Sequence, residues 1–158
     1  MEKENIIENL QKAKLSNLQW IDRANSLISG TKKDTGTVPI EEKESEFGQW
    51  LYGEGELLKK LSNNPLECMK SIEVLHQHIH KNYFKIYHIY FSDEKKAGFF
   101  SKLMGAKRQE VNTNEEKEAK LLLESLEQYA NDLMKELERL ERRIEAVGQE
   151  KLNFVMKI

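Results

Sequence analysis

Apolar and small side chains recur in the C-terminal third at unbroken steps of four and three: Ala119, Leu123, Leu126, Ala130, Leu133, Leu137, Leu140, Ile144 and Val147. A strand cannot hold that period, because its side chains change face at every residue. A helix of 3.6 residues per turn gathers these positions into one narrow stripe. Thr113 and Glu116 have the spacing of a capping box and predict its start, so a long helix is expected over 113–147. A stripe this long must be covered, by helices of the same chain or by a second subunit.

Two more stripes could supply the cover. Ile6, Leu10, Ala13, Asn17, Trp20, Ala24 and Leu27 repeat the same alternation, and Gly30 is placed to stop that helix. Met69, Ile72, His76, Ile79, Tyr83, Ile86 and Tyr90 form the third stripe, with Pro65 at a first helical position after an asparagine cap. The aromatic end of this segment favours strand by local propensity, but the helical spacing persists through it. Between the first and third stripes, "SGTKKDTGTVP" reads as loop. A second helical segment is expected from Ile40–Glu44 onward, interrupted by the aromatic–glycine stretch "ESEFGQWLYGEG", 44–55, and carrying Leu51, Leu57, Leu58 and Leu61. Gly48, Gly53 and Gly55 would each weaken a free helix by about 1 kcal/mol, so close backbone packing or a turn is expected there.

Two connecting pieces remain. An insert at 91–112 carries Phe99, Phe100, Leu103 and Met104 among Lys95, Lys96, Lys102, Lys107 and Arg108. It reads either as a short helix or loop tucked onto the bundle, or as a basic and apolar docking element over 95–108 for a membrane surface or partner groove. Beyond Gly148, Leu152, Phe154, Val155 and Ile158 form a small apolar tail. The expected fold is all-α: one four-helix-bundle-like domain over 1–158, with a short helical or loop insert before a long C-terminal helix.

Composition narrows the function. The net charge of −2 provides no field to recruit nucleic acid. The single cysteine, Cys68, cannot form an internal disulfide and reads as a small buried side chain. No signal-peptide zones and no apolar run of membrane-spanning length are present, which predicts a cytoplasmic protein.

The residues with chemistry lie in "HQHIH", 76–80. His76 and His80 are one helical turn apart and share a face, a spacing that suits either a packed pair or two ligands of one metal ion. His78 points away toward solvent. His76 and Asn17 interrupt apolar stripes, so each needs a polar partner. No phosphate-binding glycine loop, Gly-x-Ser-x-Gly elbow or His-Glu-x-x-His sequence occurs, and no enzyme is expected.

Three pieces in order, "NLQW" at 17–20, "SEFGQW" at 45–50 and "HQHIH" at 76–80, resemble the chemoreceptor zinc-binding (CZB) domain of bacterial signalling proteins. The likeness covers roughly residues 10–90. It corresponds to that family's His-x-x-Trp, Cys-x-Phe/Leu-Gly-x-Trp and His-x-x-x-His elements. The resemblance implies a helical bundle, often dimeric, that holds zinc through four side chains. Those ligands fall on Asn17, Ser45, His76 and His80, so one imidazole and the thiolate are replaced by an amide and a hydroxyl. Asn and Ser are poor zinc ligands, neither being anionic near neutral pH.

Two outcomes follow for that site. Asn17, Ser45, His76 and His80 form a metal-free polar cluster, or Glu44 or Glu46 swings in beside the histidine pair as a replacement ligand. The cofactor is accordingly none or zinc. The function implied is a stand-alone, non-enzymatic sensor or regulatory module of chemotaxis or cyclic-dinucleotide signalling, without an attached output domain. It would act on a protein partner, as a homodimer, and without nucleic acid. The alternatives are a metal-binding sensor or buffer protein and, more remotely, a hydrolytic metal enzyme.

Overall fold

The computed structural model describes residues 2–31, 41–61, 65–91 and 108–156, and over these residues the chain is all-α. Among the described residues there are five α-helices: α1 (Lys3–Ser29), α2 (Glu46–Tyr52), α3 (Pro65–Phe91), α4 (Thr113–Ala146) and α5 (Gln149–Met156). A 3-10 helix, Glu54–Lys60, follows α2. Among these residues, no helix is long and apolar enough to cross a membrane.

The three long stripes face one another. Every position of the α1 and α3 stripes is buried, and so is the α4 stripe apart from the half-buried Leu123. Helix α3 runs along α4, α1 packs on both, and the short pair formed by α2 and the 3-10 helix takes the fourth place of the bundle. The α4 stripe is thus covered from within the chain. Leu and Ile side chains dominate the core, each contributing about 1.5–3 kcal/mol on full burial. Cys68 is fully buried in it, and that burial raises its thiol above the usual range.

Helix ends account for the differences from the sequence reading. The α4 capping box is formed by Asn112 and Glu115, one residue ahead of the expected Thr113 and Glu116. The Asn112 side chain accepts from the Asn114 and Glu115 amides at 3.0 Å, and the Glu115 carboxylate accepts from the Asn112 amide at 2.8 Å. Asparagine caps better than threonine, which decides between the overlapping frames. The second helix does not begin at 40–44. It begins at Glu46, because Ser45 is its N-cap and accepts from the Gly48 amide at 3.0 Å. The aromatic stretch is therefore the helix itself, not an interruption of one.

Gly30 ends α1 with φ 69°, the left-handed conformation glycine adopts without penalty. Beside it, Arg108 donates to the carbonyls of Ile28 at 2.8 Å and Leu27 at 3.3 Å and lies over the Tyr90 ring at 4.5 Å. A cation on terminal carbonyls complements the negative end of a helix. Arg108, itself exposed, thereby ties the end of α1 to the end of α3. Phe99, Phe100, Leu103 and Met104 lie outside the described residues, as do the four insert lysines. The tail has a destination: Leu152, on α5, is fully buried, α5 packs on the 3-10 helix, and Phe154 stays exposed. Val155 and Ile158 are outside the described side chains.

Candidate functional site

Three chain segments bring Asn17, Ser45, His76 and His80 into one buried cluster, each of them 5% exposed or less. Asn17 comes from the middle of α1, Ser45 from the cap of α2, and the histidines from one face of α3. The His76 and His80 Nε2 atoms are 3.1 Å apart, and the Ser45 hydroxyl lies 3.4 Å from His76 Nε2. Asn17 donates from Nδ2 to the main-chain carbonyl of Ala130 on α4 at 2.7 Å. Asn17 and His76 line the same small cavity of about 10 Å³. All four helices that frame the bundle therefore contribute a group to the cluster.

Aromatic rings flank it, and on another side His80 lines a cavity of about 290 Å³ with Glu41, Glu42, Gln77, Lys81 and Phe84. Phe47 meets His76 edge-on at 5.1 Å, Trp20 lies 4.4 Å from the His80 ring, and Tyr83 meets Trp20 at 4.8 Å. Trp20 stands one turn beyond Asn17, and Phe47 stands two residues beyond Ser45. Trp20 of "NLQW" and Phe47 of "SEFGQW" are thus walls of the site, and Trp50 stacks on Phe47 at 5.7 Å. The Ala130 carbonyl is a participant that no side-chain pattern reveals, because every residue carries the same group. Ser16, which also lines the cavity, is one polar residue among many on α1 and carries no sequence signal.

Hydrogen positions constrain the cluster. The Ser45 hydroxyl donates its only hydrogen to the Glu42 carbonyl at 2.8 Å. Toward His76 it therefore acts as an acceptor. Burial, followed by the neighbouring His80, pushes the His76 pKa from 6.5 down to about 3. His76 is a neutral imidazole across the physiological range. Asn17 Oδ1 and His76 Nδ1 are buried without a hydrogen-bond partner from the protein.

The depressed pKa has a consequence for stability. Below pH 6.5 the unfolded chain takes up a proton on this ring that the folded chain refuses. Stability is complete above pH 6.5 and falls as the pH drops toward 3, by about 1.4 kcal/mol per unit. Between pH 7 and pH 5 the expected loss from His76 is ~2 kcal/mol. Urea denaturation should show the parent chain losing that much more than His76→Gln over the same interval. Equal losses would remove neutral burial of this ring as the cause.

The remaining expected site residues lie elsewhere. His78 is half-buried, not fully solvated, and tilts against Tyr129 of α4 at 4.7 Å. Glu44 and Glu46 are both exposed and do not join the histidines. Among the described residues, no three His, Cys, Asp or Glu side chains gather as a metal-holding group. Ser45 sits at the start of a helix whose next residue, Glu46, turns outward. The donor set at the cluster is two imidazoles, one hydroxyl and one amide, which does not fit a four-ligand zinc centre needing anionic or imidazole donors at every position. Compared with protein-family models, curated proteins and solved structures, the chain matches none.

Proposed function

We propose that this chain is a non-enzymatic sensor or regulatory interaction module of bacterial signalling, related to the CZB domain, in which family-type zinc binding is weakened or lost. One observation supports the reading above the others. The four positions at which the resemblance puts ligands, far apart in the chain, converge in one buried cluster. Shared helix type alone would not bring Asn17, Ser45 and His76 together.

The cluster is suited to coupling. Asn17 ties α1 to the Ala130 carbonyl of α4, and Ser45 ties the α2 cap to His76 of α3. Anything that reorganises the histidine pair pulls on all four elements, and a shift in helix packing is the output offered to a protein partner. Protonation of His76 is not the trigger near neutral pH, given its depressed pKa. Occupancy of the cluster is.

A different observation favours a second reading, a metal sensor or buffer. Two imidazole Nε2 atoms 3.1 Å apart can both reach one ion at ~2.1 Å, with water completing the shell. Metal analysis of protein purified without added zinc or a polyhistidine tag separates the two. Well under one equivalent is expected, and a full equivalent decides for the second reading. The trigger is tested in a Trp50→Phe background, where Trp20 beside His80 is the remaining indole. Zinc added up to millimolar levels should change Trp20 emission, and His76→Ala or His80→Ala should abolish the change. A flat response in the unsubstituted cluster would sink the occupancy idea.

A further inference from the structure

Four buried side-chain polar atoms among the described residues lack a protein hydrogen-bond partner: Asn17 Oδ1, Trp50 Nε1, His76 Nδ1 and Glu136 Oε2. Three of them belong to residues lining two adjoining cavities. The inner cavity, about 10 Å³, is lined by Asn17 and His76, and the outer one, about 20 Å³, by Trp50 together with Asn9, Lys12 and Glu46 at its mouth. Ser16 and Phe47 line both and form the wall between them. A buried polar group without a partner costs about 1–3 kcal/mol, and three of them along one seam would be a large penalty for a small domain.

We infer that the α1–α2 seam is a hydrated channel, with one ordered water in each cavity, running from the surface at Asn9, Lys12 and Glu46 past Ser16 to the Asn17–His76 cluster. The volumes match, since a water centre needs roughly 10–15 Å³. The chemistry matches as well. The Trp50 indole can only donate and the Asn17 carbonyl oxygen can only accept, while water does both. The outer water accepts from Trp50 Nε1. The inner water donates to Asn17 Oδ1 and to His76 Nδ1, which accepts because the neutral ring carries its hydrogen on Nε2 toward Ser45. Ser16, half-buried between the two, offers a hydroxyl that can relay between them. The channel gives solvent a route to the Asn17–His76 side of the cluster, distinct from the cavity of about 290 Å³ that His80 lines with Glu42 and Gln77, and it stands whether or not the cluster signals.

The test uses the whole chain in solution. Trp50 Hε1, assigned by its loss in Trp50→Phe, should show a through-space magnetisation transfer from water and should exchange with D2O while the core amides of α3 remain protected. Ser16→Val, which narrows the wall between the outer and inner cavities without touching the deep core, should slow exchange of the Asn17 side-chain amide at least tenfold. A high-resolution crystal structure should place a water within hydrogen-bond distance of Asn17 Oδ1. An indole that shows no water contact and exchanges no faster than the α3 core amides would overturn the inference. So would an Asn17 side-chain amide exchange rate unchanged by Ser16→Val in a folded variant.

Discussion

A chain carrying both Asn17→His and Ser45→Cys is expected to bind zinc roughly a thousandfold more tightly than the parent. The two substitutions put an imidazole and a thiol at the positions where an amide and a hydroxyl now sit. Both lie in the same buried cluster as His76 and His80, whose Nε2 atoms are already 3.1 Å apart. Ser45 Oγ lies 3.4 Å from His76 Nε2, so a sulfur there starts within short reach of the pair. Four N and S donors satisfy tetrahedral zinc, and structural sites of that kind yield about 10–16 kcal/mol, so the ~4 kcal/mol implied by a thousandfold gain is modest.

Two costs are foreseeable. Replacing the Ser45 cap weakens the start of α2 by about 1 kcal/mol, and losing Asn17 removes its bond to the Ala130 carbonyl. The metal-free double variant should therefore melt below the parent and recover above it when zinc is added, as ligand linkage requires. Competition against a chromophoric chelator measures the affinity directly. If the folded double variant holds zinc no better than the parent, the correspondence of Asn17 and Ser45 to ligand positions is wrong.

Gly48→Ala should cost roughly 3 kcal/mol of stability, the upper end of the range for overpacking, read as a lower urea midpoint at unchanged slope. A Cβ at Gly48 would lie 1.7 Å from the Glu42 carbonyl oxygen and 2.7 Å from its carbon. These are main-chain atoms, and the same carbonyl accepts the Ser45 hydroxyl, so neither side can yield without breaking the cap. The substitution would normally favour a helix, because alanine is a better helix former by about 1 kcal/mol. The sign of the measured change thus tells contact from propensity. Stabilisation by Gly48→Ala would mean that the turn before α2 is not as close as the structure has it.

Much of the architecture is legible in the sequence, and for one reason. The α1, α3 and α4 stripes are periodic over many turns, and periodicity identifies both the helix and its buried face. Asn17 and His76 stood out because a polar residue inside such a stripe is a contradiction that must be resolved by a partner. Short elements were less legible. Residues 46–60 hold a short α-helix and a 3-10 helix, too brief for a period to show, and there the hydroxyl of Ser45 and the Gly48–Glu42 contact set the boundary. The cap of α4 is ambiguous by one residue in the sequence, because Asn112 and Thr113 are both good caps with a glutamate three residues on.

What the chain decides by itself is which segments are helical, which face of each long helix is buried, and which polar residues lie on those faces. These are consequences of local spacing and side-chain chemistry, and a neighbour can only accept them. The tertiary structure alone decided that Asn17 turns to a carbonyl of α4, that Ser45 gives its only proton to Glu42, that Glu44 and Glu46 stay in solvent, and that Ser16 and Phe47 stand between the inner and outer cavities. Those outcomes depend on how one helix is rotated and offset against another. That offset is set by packing between residues remote in sequence, which no local pattern encodes.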